Sequence, residues 1–209
     1  MSKPETIVAA DVTERLRNDI LLGALRPGEW LRQIDLQDRY RCTRASARSA
    51  LATLAAGQMV QHVPNRGFRV VQPSTEVREQ ITEIRLMLEL PAAEAIVASA
   101  TEQDVASIQE AAEAFDAGVD RLPYPEMRAL NHAFHRALVA PLANHLLADT
   151  INDLRERDLP GDWSSWSIGA NVRRSSQDHL DMARAVAIRD AEALRQLTGQ
   201  HLTRWQDPS

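Results

Sequence analysis

Apolar residues recur at three- and four-residue spacing along most of the chain. Val8, Val12, Leu16 and Ile20 stand four apart, which predicts an amphipathic helix over residues 7–22. Gly23 stops it, and Arg26-Pro27-Gly28 reads as a turn. A second short helix fits residues 33–40, with Ile34, Leu36 and Tyr40 as its apolar positions. Thr43 can cap a third over residues 44–56, with Ala47, Ala50, Leu51 and Leu54 facing inward and Gly57 ending it. Two β-rich runs follow, 59–63 and 68–71, and Pro64-Asn65-Arg66-Gly67 between them reads as a hairpin turn. Three helices followed by a hairpin is the order of a winged helix-turn-helix.

Beyond the Pro73-Ser74-Thr75 step the pattern turns almost wholly helical, over residues 75–98, 101–117, 123–139, 141–160, 170–188 and 190–205. Pro91 falls inside an apolar helical pattern and should kink or split it. The stretch 162–169 reads as a loop whose Trp163 and Trp166 would anchor packing or line a pocket. The fold class expected is mainly α: a winged helix-turn-helix, then an all-helical antiparallel bundle of about six to seven helices. The domain boundary expected is 1–74 against 75–209.

Composition narrows the partners. One cysteine, Cys42, excludes an intramolecular disulfide framework or a cysteine-rich zinc cluster. No stretch approaches the ~18 apolar residues of a membrane span, and the N-terminal residues lack a leader-like apolar run, so a cytoplasmic protein without a membrane partner is expected. The net charge of −5, taken alone, disfavours nucleic acid. It is a sum of opposites. Residues 1–74 hold 11 basic and 7 acidic side chains, net +4, and residues 75–209 hold 13 and 22, net −9. Phosphates should therefore meet only the first 74 residues.

Arg44 and Arg48 stand four apart near the start of the third helix, on the face opposite Ala47, Leu51 and Leu54. In a helix-turn-helix that end enters the major groove, where an arginine fork can take guanine O6 and N7 together. Thr43 and Ser46 can donate to phosphates there. With these residues in view, the run from Val12 to Val71 resembles the N-terminal domain of GntR-family transcriptional regulators. Gly23, Leu25, Pro27 and Gly28 match the family's Gly-x-Leu-x-Pro-Gly turn. Thr43, Arg44, Arg48, Ala50 and Leu51 match its recognition helix, whereas Ala45, Ser46, Ala47 and Ser49 depart from it. The resemblance implies a wing contact from Gly67 and the neighbouring Arg66, and Arg32 lies where it can touch backbone phosphate. Cys42 reads as a packing residue.

Five of the six histidines lie in the acidic part. Asn131 and His135 stand four apart on one helix face, and His179 and His201 fall on successive helices that can face each other across a short connection near Arg189-Asp190. Imidazoles from several helices are one way to build a metal site in a bundle. Residues 77–209 resemble the FCD ligand-binding domain of the FadR subfamily, through RLMLELPAAEAIVASAT, FHRAL with the following Asn144, and the closing helix pair. That resemblance implies a divalent metal on Asn131, His135, His179 and His201, with Asn131 standing where the family usually has Asp. An amide oxygen brings no charge, so weaker affinity and help from a bound carboxylate are expected, with zinc or nickel as the ion. Arg85, Arg128 and Arg173 or Arg174 are candidates for a small carboxylic acid effector, with an Arg85–Glu89 surface ion pair as the competing reading. The function expected is a homodimeric DNA-binding transcription regulator, a repressor of an operator, under control of an organic acid or metal. The alternative is a helical-bundle metalloenzyme with an accessory N-terminal unit.

Overall fold

The computed structural model describes residues 9–157 and 169–204, divided into two units between Gln72 and Pro73. The first unit starts with α1 (Ala9–Leu21), β1 (Trp30–Leu31), α2 (Gln33–Tyr40) and α3 (Arg44–Ala56). It ends in β2 (Val60–Val63) and β3 (Gly67–Val70). Val12, Leu16 and Ile20 are buried on one face of α1, which packs on α3 through Ala47, Ala50, Leu51 and Leu54. Val8 lies outside the described residues.

The wing is a three-stranded antiparallel sheet in the order β1-β3-β2. Val60 pairs with Val70 and Val63 with Gly67, while Trp30 pairs with Arg69 on the other side of β3. β1 was not expected. Two residues carry no periodicity, and they become a strand only because β3 offers its free edge. Gly67 holds φ +97 with nothing within 4 Å of where a Cβ would sit, so its backbone rather than crowding requires glycine. Ile34, an apolar position of the helical pattern, is 65% exposed; Leu36 and Tyr40 are the buried residues of α2.

The second unit contains α4 (Thr75–Ser99), α5 (Glu102–Gly118), α6 (Tyr124–Val139), α7 (His145–Arg157), α8 (Gly169–Ala187) and α9 (Ala191–Thr203). Its described residues thus form six helices, and no helix among them is long and apolar enough to cross a membrane. Several starts have a local cause. Ser74 caps α4, Thr101 and Asp104 form a capping box on α5, and Asp190 caps α9. Pro123 and Pro125 open α6. α7 begins at His145 rather than near Pro141, because the Asn144 side chain accepts from Leu147 N at 3.1 Å. Pro91 does not split α4, which runs through it as one helix. The proline lies on an exposed face, and Met87, whose carbonyl loses its amide partner, is 64% exposed, so water can replace the missing bond. The expected loop at 162–168, with Trp163 and Trp166, lies outside the described residues, as do 158–160.

α4 packs on α7 and α9, α5 on α6 and α8, and α8 on α9. Phe134, Ile151 and Val186 sit fully buried at the centre of this core. The core of the first unit is smaller and should respond sharply to truncation. Leu16→Ala, at a fully buried α1 position, is expected to cost about 2–5 kcal/mol. Chemical denaturation followed by circular dichroism would read this as a lowered midpoint.

Candidate functional site

α3 presents Arg44 and Arg48 on its exposed face, away from buried Ala47 and Leu51. Thr43 is the N-cap, accepting from Ser46 N at 3.1 Å, and its hydroxyl lies 3.0 Å from that of Ser46. One of the two hydroxyls donates to the other, which leaves the hydrogen of the second available to an acceptor. Between α3 and the wing lies a cavity of about 640 Å³ lined by Arg32, Arg44, Arg66 and Gly67, together with Trp30, Gln33 and His62. The structure thus brings four of the seven residues expected at DNA to one concave surface, with Thr43, Ser46 and Arg48 on the adjoining helix. Two members were missed. Gln33 Oε1 accepts from Arg44 Nε at 3.3 Å, and Trp30 stands 41% exposed beside the Arg69 guanidinium. Neither carried a signal in the sequence, since both depend on β1 and α2 meeting the wing.

In the second unit, α6, α8 and α9 bring His135, His179 and His201 together. Their ring centroids form a triangle with sides of 4.9, 5.1 and 5.2 Å, and one nitrogen from each lies within 4.8 Å of the others. His179 is fully buried, stacked on Phe134 at 4.0 Å and tilted against Phe115 at 4.7 Å. His135 Nδ1, His179 Nδ1 and Asn131 Oδ1 are buried without a hydrogen-bond partner. Orphaned lone pairs of this kind carry a desolvation cost that a cation would relieve, so the donor set fits a metal.

The charges around the imidazoles are cationic on balance. Arg85 Nε donates to Glu89 at 2.8 Å, and Arg155 donates to the other oxygen of the same carboxylate. The Arg85–Glu89 pair, read from sequence as a surface pair, is buried, because α7 covers it with Arg155. Burial favours a neutral Glu89, but Arg155 and Arg85 overcome it and hold the carboxyl below its ordinary value. Arg128 is also buried, with Nη1 donating to the Tyr124 hydroxyl at 3.1 Å and Nη2 lying 3.4 Å from His132 Nε2. Arg173 is different. It is exposed and paired with Asp120 at 2.5 Å. Arg174 is exposed as well.

Burial, reinforced by Arg155, pushes His135 well below the usual imidazole range. Burial and the neighbouring His201 do the same to His179. His132 is lowered to about 3 by burial and then by Arg128. His201 is lowered too, by burial, although Asp178 opposes the shift. Asp178 was missed from the sequence. Its carboxylate lies 2.9 Å from His201 Nδ1 and 2.6 Å from the Arg204 guanidinium.

Comparison with known proteins fits this geometry. Residues 80–204 match the FCD domain, and residues 8–70 match the bacterial regulatory proteins of the gntR family. The chain is a GntR-family regulator with an FCD domain. This GntR-family chain is 29% identical to the HTH-type transcriptional repressor GlaR of Escherichia coli K12, over 94% of the chain and 93% of that protein. It is 26% identical to the Nta operon transcriptional regulator of Aminobacter aminovorans, over 87% and 85%. Its fold is that of E. coli McbR/YncC, with a TM-score of 0.84 at 23% identity, covering 95% of this chain and 94% of that one. The relatives are regulators, and the metalloenzyme alternative gains no support from the site. Asp178 is held by His201 and Arg204, and Glu89 by Arg85 and Arg155, so neither stands free as a general base.

The neutral imidazoles make the stability of this GntR-family chain depend on pH. Unfolded histidines take up protons below about pH 6.5, whereas the buried ones do so only at lower pH. The unfolded state therefore binds more protons in that window, and stability rises with pH. The contribution is complete above about pH 6.5 and is lost as pH falls, by up to about 1.4 kcal/mol per pH unit for each such histidine. Calorimetry of the chelator-treated protein should show the unfolding temperature falling from pH 7 to pH 5. His132→Phe should make that dependence shallower.

Proposed function

We propose that the chain is a homodimeric, cytoplasmic, operator-binding repressor controlled by a small carboxylic acid seated at a metal centre. Residues 1–74 act as the DNA-binding domain, and residues 75–209 as the effector-binding and dimerisation domain. The observation that carries this is the joint presence of the arginine-lined groove at α3 and the wing and of the three-imidazole cluster in the FCD domain. Arg44 and Arg48 read base edges, Thr43, Ser46 and Arg32 hold phosphate, and Arg66 with Gly67 reaches the minor groove. Asn131, His135, His179 and His201 hold the divalent ion, zinc or nickel by ligand softness. Such an ion would offer a remaining coordination position to a carboxylate. Arg85 and Arg128 supply positive charge behind it, whereas exposed Arg173 is not carried into the site. Val77, Ile84 and Met87, exposed at seven- and three-residue spacing on α4, support self-association of the helical domain. Control requires that the acid bind one arrangement of the dimer more tightly than another.

Two outcomes are expected. In fluorescence anisotropy with a duplex enriched from a random library, Arg44→Ala and Arg48→Ala should each weaken specific binding at least tenfold, by about 1.4 kcal/mol or more, with the dimer intact by sedimentation. Unchanged affinity in both variants rejects the DNA-reading assignment. The His179→Ala, His201→Ala double variant should lose bound metal in elemental analysis, and full metal content there rejects the metal centre.

A further inference from the structure

Among the three clustered imidazoles, His201 alone has a carboxylate against its outer nitrogen among the described contacts. Asp178 Oδ2 lies 2.9 Å from His201 Nδ1. The described partner of His179 is a hydroxyl, Ser175 Oγ at 3.5 Å from Nε2, and no carboxylate contact is described for His135. Asp178 is itself buried, at 6% exposure, and its other oxygen accepts from Arg204 at 2.6 Å. One carboxylate thus spans from the ring of His201 to a guanidinium one turn further along the chain. A carboxylate at Nδ1 keeps the proton there, turns Nε2 inward as the basic nitrogen and fixes the ring.

The charge count gives this contact its weight. The cluster itself is three imidazoles, and Asn131, one turn before His135 on α6, brings a neutral amide. Of the other buried carboxylates of the helical unit, Glu89 is shared by Arg85 and Arg155, and Glu156 accepts from Arg136. Among the described contacts, the carboxylate that reaches a ring of the cluster is Asp178, while Arg155 and Arg85 act on the rings as nearby cations. We infer that Asp178 is a positioning residue for the metal centre, selecting Nε2 of His201 as the ligand atom and supplying, through that ring, the negative charge that Asn131 does not. The inference rests on the metal reading of the cluster. It assigns to Asp178 a role that touches the ion only through His201, and to Arg204 the lesser one of holding the outer oxygen.

The test uses the full-length protein stripped with chelator, with zinc alone as the probe. Zinc affinity is read by competition with a chromophoric chelator for the wild type, Asp178→Asn and Arg204→Gln. The tautomer of His201 in the zinc-free protein is read by nitrogen-15 NMR, with the signal assigned from His201→Gln. Asp178→Asn is expected to weaken zinc binding by at least tenfold, and to move His201 from the Nδ1-protonated form towards the Nε2-protonated form. Arg204→Gln is expected to keep both the tautomer and an affinity within about threefold of wild type, since Asp178 still faces the ring. Equal zinc affinity in wild type and Asp178→Asn overturns the inference while leaving the metal centre standing. Equal losses in Asp178→Asn and Arg204→Gln, with the tautomer unchanged, assign the effect to packing of α9 and overturn it as well. A wild-type protein that takes up no zinc removes the metal reading and this inference together.

Discussion

Glu89 holds two guanidinium groups in the interior of the helical unit, one from its own helix and one from α7. Two cations cannot share a dry interior without an anion between them, and removing one partner of such a group typically costs about 3–5 kcal/mol. The triad therefore ties α4 to α7 by electrostatic need as well as by apolar contact. Arg155 also acts beyond the triad. Burial pushes His132, His135, His179 and His201 away from protonation, and the Arg155 charge adds to it at each. Neutral imidazole is the form with a lone pair to give. Burial, with the charge that binds two helices added to it, thus keeps the clustered rings in the state a metal ion requires.

The DNA head solves a different problem. It needs its cations in water, where phosphate can reach them. Its core is accordingly apolar, built from Val12, Leu16, Ile20 and the inward row of α3, and its arginines stand outside. Exposed Arg44 is still not loose, since Gln33 receives its Nε. A surface hydrogen bond of that kind is worth little in stability, but it limits where the fork points before a base edge arrives. The overall charge of −5 says nothing of this arrangement, because it adds a basic head to an acidic body.

Much of the architecture was legible because helices announce themselves by local rules. The buried rows of α1 and α3, the capping role of Thr43 and the hairpin after α3 follow from spacing and turn chemistry. The elements read less well are those whose cause lies elsewhere in the chain. β1 exists because β3 has an edge to fill. Ile34 carries the right chemistry for a core position, yet the geometry of α2 leaves Leu36 and Tyr40 to do the burying. The start of α7 was placed early because the apolar pattern runs on through residues that the Asn144 cap excludes.

The site divides along the same line. Residue identity by itself determined that three histidines and Asn131 fall at positions where helix spacing can turn them to one side, and that arginines four apart share the exposed face of α3. These are consequences of a 3.6-residue repeat, which needs only the order of side chains. Tertiary structure alone decided which charges meet. It buried Arg85 under α7, left Arg173 with Asp120 at the surface, and set Asp178 against His201 from 23 residues away. Electrostatic partnership depends on distance and on exclusion of water, and neither quantity is written in a single helix.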